Sequence, residues 1–238
     1  MPPRPRSRKT AELDLCRWGR RLGQLYVGLV LYGVSAGMQV RARLGLNPWD
    51  VLHQGISHRV HHAIGTVSIV LGAVLLLAWL PLRQRPGLGT ISNVLVIGLA
   101  LNATVVVVPP QHGYPARIAM LVVAIVLCGV GSGMYISAGL GPGPRDGLMT
   151  GIAARTGMSV RIVRTGIELT VLACGWLLGG SVGVGTVAFA LVIGPLTQRF
   201  MSLLSIAGVA QGHERPAAPT REPHLAVSDS CPTPGGST

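Results

Sequence analysis

Six stretches of the chain are long and apolar enough to cross a bilayer: residues 22–41, 63–82, 90–108, 117–138, 162–180 and 184–207. A crossing helix needs about 20 residues. Between the first and second, residues 47–60 are mildly apolar but interrupted by His53, Gln54 and His58. That run is too short and too polar to span, and it predicts a short helix that lies at the interface or re-enters the membrane. Residues 143–157 repeat the situation between the fourth and fifth stretches. The ends differ in kind. Residues 1–21 form a basic, proline-containing tail, and residues 209–238, rich in Pro, Ser, Gly and Thr, read as a disordered tail. The expected fold is an all-α polytopic membrane bundle of about six transmembrane helices.

The pattern also repeats. Shifted by 96 residues, the sequence matches itself without a gap: Gly33 falls on Gly129, Gly37 on Gly133, Pro48 on Pro144 and Asp50 on Asp146. Gly89-Thr90 falls on Gly185-Thr186, and Leu95-Val96-Ile97-Gly98 on Leu191-Val192-Ile193-Gly194. Apolar residues coincide easily by chance, but Pro, Asp, Gly and Thr at one fixed offset do not. The membrane region therefore divides into a first repeat, 22–112, and a second, 113–208. With three crossings in each, the second repeat is inverted relative to the first, an architecture recurrent in secondary transporters.

Composition agrees. Hydrophobic residues make up 49% of the 238, 33 more are glycine, and 12% are charged, against about 25% in soluble proteins. This excludes a disordered chain, a coiled coil and a soluble enzyme of ordinary composition. Twenty basic residues face eight acids, a net charge of +12. Such a balance can mark a nucleic-acid binder, but here the bases sit at the ends of apolar runs. With the N-terminus inside and six crossings, only Arg41, Arg43, Arg59 and Arg117 fall outside. That asymmetry obeys the positive-inside rule and puts both termini on the cytoplasmic side. Eight crossings would leave the termini where they are. Cys16, Cys128, Cys174 and Cys231 form no Cys-x-x-Cys pair, so no zinc site, disulfide framework or cofactor is expected.

Three runs carry a family resemblance: Leu44-Gly45-Leu46-Asn47-Pro48-Trp49-Asp50, Pro81-Leu82-Arg83-Gln84-Arg85-Pro86-Gly87, and Gly141-Pro142-Gly143-Pro144-Arg145-Asp146-Gly147. Over about residues 20–207 the chain resembles the YczE-like (YczE/YyaS/YitT) bacterial integral membrane proteins. The resemblance implies a bacterial plasma-membrane protein and supplies no catalytic residues.

Between residues 15 and 210 the only acids are Asp50, Asp146 and Glu168. Ionisable groups at membrane depth are costly and point to function. Asp50 and Asp146 share a repeat position. Asn47-Pro48-Trp49-Asp50 reads as a helix start, with Asn47 as N-cap, Pro48 at N1 and Asp50 in the first turn. Gly143-Pro144-Arg145-Asp146 reads likewise. Each acid either caps its helix or serves as one of two pseudo-symmetric gates, and Arg145 beside Asp146 suggests a local ion network. Glu168 breaks the symmetry, because its counterpart is Gly72. Arg161 and Arg164 share its helical face. It either pairs with Arg164 within the helix or acts as a coupling carboxylate. Asn93 and Asn102 join helices or touch a solute. Thr90 and Thr186 are expected N-caps. Gly33, Gly37, Gly129 and Gly133 predict close packing of the first and fourth spans, or a homodimer interface. His53, His58, His61 and His62 are expected to be solvated loop residues and not a metal site. No nucleophile–base constellation appears, so an enzyme is not expected. The leading function is a secondary transporter or exporter of a small, unidentified solute, with the lipid bilayer as its surroundings. The alternative is a non-catalytic scaffold that organises another complex.

Overall fold

The computed structural model describes residues 8–84 and 86–204. They form eight helices: α1 (Arg8–Ala42), α2 (Pro48–Val60), α3 (Ile64–Leu82), α4 (Leu88–Val107), α5 (Tyr114–Ser137), α6 (Pro144–Thr156), α7 (Val160–Leu177) and α8 (Val184–Leu204). No strand occurs among the described residues. Helix α1 starts inside the stretch expected as a tail, so residues 8–21 extend the first helix. The expected tail at 209–238 lies outside the described residues.

Four helices, α3, α4, α5 and α8, are each long and apolar enough to cross a membrane by themselves. Helix α7 carries Arg161, Arg164 and Glu168 within its 18 residues, and the first third of α1 is polar.

The short helices begin where expected. The Asn47 side chain accepts the Asp50 backbone N–H at 3.0 Å, and Pro48 fills the first turn, where its missing N–H costs nothing. Helix α6 starts at Pro144 behind Gly143, with Asp146 in its first turn. Both end in the left-handed region, at His61 (φ 57°) and Gly157 (φ 70°), again 96 residues apart. Thr90 is a correction. The N-cap of α4 is Gly87; Thr90 sits at N3, and its hydroxyl accepts the Gly87 N–H at 3.2 Å. Thr186 accepts from Gly183 in the same way at 3.3 Å.

Helices α1 and α5 form the centre and run antiparallel. Arg21, near the start of α1, donates to Ala138 O (2.8 Å) and Gly139 O (2.9 Å) at the end of α5. Arg117, near the start of α5, donates to Ala42 O (2.8 Å) and Arg43 O at the end of α1. Each guanidinium thus satisfies the orphan carbonyls of its partner's C-terminus. Midway, a Cβ on Gly28 would lie 2.8 Å from Gly131 O, and one on Gly131 would lie 2.7 Å from Gly28 O. Close packing of the first and fourth spans therefore holds, but through these two glycines. Gly33 and Gly37 instead face α4, at Ile97, Ala100 and Thr104. Gly129 and Gly133 face α8, at Leu196 and Phe200.

The outer helices are arranged asymmetrically. Helix α3 packs on α4 and α6, and α2 packs on α7. Helices α7 and α8, the counterparts of α3 and α4, make at most marginal contact. The α3–α4 seam is closed by Gly65 N–H donating to Asn102 Oδ1 (2.8 Å) and Asn102 Nδ2 donating to Thr66 Oγ1 (3.2 Å), so Asn102 joins helices. A Cβ on Gly98 would meet Gly65 O at 2.6 Å and the Ile69 side chain, whereas Gly194, its counterpart, has nothing within 4 Å. Gly98→Ala is accordingly expected to destabilise the protein by about 1–3 kcal/mol through overpacking. Gly194→Ala should cost less than about 1 kcal/mol, because the gain in helix propensity is offset by its Cβ meeting the ring of Pro195. Thermal melts of the two variants in one detergent check this, and equal shifts would contradict the asymmetry.

Candidate functional site

The first turns of α2 and α6 converge on a cavity of about 310 Å³ beside the α1–α5 crossing. Tyr32 and Cys128, which are 96 residues apart, both line it, and the Tyr32 and Tyr135 rings meet edge to face at 6.3 Å. Two helix N-termini aimed at one chamber give it a positive backbone field. Discontinuous helices serve transporters in this way. Asn93, Arg145, Asp146, Arg164 and Glu168 line the cavity, so the structure brings together five of the eight expected residues. Arg161 and Asn102 do not line it. Asp50 stands directly behind the wall formed by Asn47 and His53.

The two repeat-equivalent acids have different surroundings. Asp50 is 2% exposed and fully partnered. It accepts from Asn47 Nδ2, and its other oxygen lies 3.0 Å from His53 Nδ1. His53, one helical turn on, is itself 2% exposed. That corrects the expectation of a solvated histidine, which holds only for the exposed His58, His61 and His62. Asp146 has a single side-chain partner, the Tyr135 hydroxyl at 3.4 Å, at the far edge of hydrogen bonding.

Arg145 and Asp146 form no ion pair. The Arg145 guanidinium lies over the Trp49 ring, 4.8 Å from its centroid, in a cation–π contact. Consecutive helix residues point about 100° apart, so the two neighbours do not pair directly; Arg145 and Arg164 act on Asp146 through space. The Arg164–Glu168 pair does form, at 2.9 Å, with both side chains at the cavity rim. No ion pair to Arg161 occurs among the described residues. Gln198 and Thr197 complete the lining from α8.

Sequence reasoning missed His53, Trp49, Tyr32, Tyr135 and Gln198. Two of these carried a signal: Gln198 is the counterpart of Asn102, and His53 lies one turn from Asp50. No group of three His, Cys, Asp or Glu side chains that could hold a metal occurs among the described residues.

A family model described as a family of unknown function, DUF6198, matches residues 19–202. The "Uncharacterized membrane protein YczE" of Bacillus subtilis is 37% identical over 172 residues, 71% of this chain and 80% of that one. The chain belongs to the YczE-like family. An "Uncharacterized protein" of Haemophilus influenzae is 40% identical over 181 residues, 76% of this chain and 83% of its own. The B. subtilis "Uncharacterized protein YyaS" is similar at 21% over 182 residues, covering 75% and 90%. No solved structure matches. The match to YczE and the apolar helices make this a membrane protein, and the family match covers every residue that lines the cavity.

Proposed function

We propose that this YczE-like protein is a secondary transporter built of two inverted three-span repeats. In this reading α1, α3, α4, α5, α7 and α8 cross the plasma membrane, α2 and α6 enter without crossing, and both termini are cytoplasmic. Three features support the inversion. The boundaries of α2, α3 and α4 recur 96 residues later to within one residue. The Arg21 and Arg117 caps exchange partners across an antiparallel α1–α5 pair. Gly89 donates to Leu140 O while Gly185 donates to Leu44 O, each repeat bonding the other at equivalent positions.

One observation carries the transport reading. Around a cavity lined by charged and apolar side chains, one member of an equivalent pair of seams is sealed and the other is parted. Inverted repeats held in different states give access from one side, and exchange of the states gives access from the other. Glu168 lies on the parted seam, has Gly72 as its counterpart on the sealed one, and is the coupling candidate.

Vesicles carrying the wild-type protein should accumulate at least one solute absent from empty vesicles, and Glu168→Gln should abolish that accumulation. The yield of folded protein should not change, since an exposed Arg–Glu pair contributes less than about 1 kcal/mol. Metabolite profiling of the vesicles reads the outcome. No wild-type-dependent solute, together with a tight partner retained in detergent and unaffected by Glu168→Gln, would favour the scaffold.

A further inference from the structure

We propose that the cavity takes an amphiphile with a zwitterionic head group, which enters sideways between α7 and α8. The inference rests on the transport reading and names the substrate class of the same site.

The entrance comes first. Helices α7 and α8 both lie at the edge of the bundle: among their residues only Val163 and Gly175 are buried on α7, and only Gly185, Thr186 and Phe189 on α8. A gap between two peripheral helices opens toward acyl chains and not only toward water. The cavity runs along α8 from Phe189 to Met201, touching Ile193 and Gln198 on the way. A water-soluble solute would leave the charged groups of this mixed lining open to lipid, at the cost of unsatisfied polar groups in hydrocarbon. An alkyl chain lying between α7 and α8 against Phe189, Ile193 and Met201 closes the gap with like chemistry. At about 310 Å³ the chamber is at the small end of ligand pockets. It holds a head group and leaves the tail between the helices.

The head group follows from the charges. Arg145 and Asp146 are neighbours in the first turn of α6, and both line the cavity. Arg145 has a ring beneath it and no carboxylate, and Asp146 has one long hydrogen bond. Arg164, which acts on Asp146 through space, is itself held by Glu168, so two cations and two carboxylates surround the chamber, and a ligand carrying both signs matches that set. Its anionic group meets the Arg145 fork and the α6 N-terminus, and its ammonium meets Asp146. The Arg164–Glu168 pair at the rim is neutral as a unit and presents one partner to each half of a passing zwitterion.

The test uses the full chain in phosphatidylglycerol nanodiscs with a lysophosphatidylethanolamine bearing a diazirine in its acyl chain. Photolysis should place adducts on peptides containing Ile193 and Met201. Unlabelled lysophosphatidylethanolamine should suppress them, but neither phosphoethanolamine alone nor a lysophosphatidic acid of equal chain length should do so. Arg145→Gln and Asp146→Asn should each reduce labelling about tenfold, the equivalent of one lost charge-assisted hydrogen bond. Arg145→Lys, which keeps the charge but not the planar fork, should recover only part of the labelling lost in Arg145→Gln, provided that each protein elutes as a single species.

Competition by phosphoethanolamine alone would overturn the amphiphile in favour of a free zwitterion. Equal competition by lysophosphatidic acid would overturn the zwitterionic head group. Labelling spread evenly over the lipid faces of α3 and α4 would mean annular lipid only. Transport is scored separately by whether the α3–α4 and α7–α8 seams alternate. If they alternate and labelling fails, the ligand class falls alone; if labelling succeeds with fixed seams, transport falls and binding stands.

Discussion

Trp79→Ala is expected to destabilise the protein by about 3–5 kcal/mol, the range for emptying a large buried ring. Trp79 is 1% exposed. Its Nε1–H donates to Pro144 O at 3.0 Å, and its ring lies directly on Gly147, where a Cβ would overlap it. The ring thus ties the last turns of α3 to the first turn of α6, beside the cluster in which Leu71 and Leu75 pack with Met149 and Ala153. The equivalent position on α7 is Gly175, where α7 packs directly on the backbone of α2, with a Cβ only 2.5 Å from Leu52 N. One seam is spaced by an indole and its twin has no side chain. Trp176, the neighbour of Gly175, is 65% exposed, and Trp176→Ala should change stability by less than about 0.5 kcal/mol. Melting temperatures of the two variants in one detergent decide the matter. Losing Trp79 should also loosen Arg145 and Asp146, because the turn it anchors carries them. A small effect at Trp79, or equal effects at the two tryptophans, would mean that α6 is held by something else.

Asp50→Ala is expected to cost about 3 kcal/mol, and Asp146→Ala no more than about 1 kcal/mol, although the two acids occupy the same repeat position. Removing Asp50 leaves Asn47 Nδ2 and His53 Nδ1, both on buried side chains, without their acceptor, while Asn47 Oδ1 keeps the backbone N–H of position 50. Removing Asp146 gives up one long bond from Tyr135 beside a cavity that water can enter. Thermal melts rank the two losses. In this account Asp50 shapes the site while Asp146 touches what enters it, so Asp146→Ala should keep a normal melt. Equal losses of stability would assign both acids to capping alone.

The parts of this fold that were legible in the sequence are those set by local chemistry. Asn47-Pro48 and Gly143-Pro144 start helices because the cap and the missing N–H act within one turn. Arg164 and Glu168 meet because a four-residue spacing places them on one face. Neighbours fixed by tertiary packing were not legible. The small-residue stripe at Gly33 and Gly37 says that some helix approaches closely, but not that it is α4. Arg145 was expected beside an acid because it adjoins one in sequence; its actual partner, Trp49, comes from the other repeat and occupies the equivalent position there. The parting of α7 from α8 has only an indirect trace. Gly65, Gly72 and Asn102 close one seam, and Arg161, Glu168 and Gln198 stand at the corresponding places on the other. Bulk and charge replace glycine where the bundle is open.

The central claim is that these two seams exchange states, and paired cysteines test it most directly. In a chain with Cys16, Cys128, Cys174 and Cys231 replaced, one pair is Thr66→Cys with Asn102→Cys, and its repeat equivalent is Ile162→Cys with Gln198→Cys. A disulfide requires Cα atoms within about 4.4–6.8 Å, so each pair reports closure of its own seam in native membranes. Both pairs should oxidise when introduced separately. In a protein carrying all four cysteines, forming one bridge should block the other. A 66–102 bridge that forms fully while the 162–198 pair never oxidises would show a fixed asymmetry, and the alternating account would be wrong.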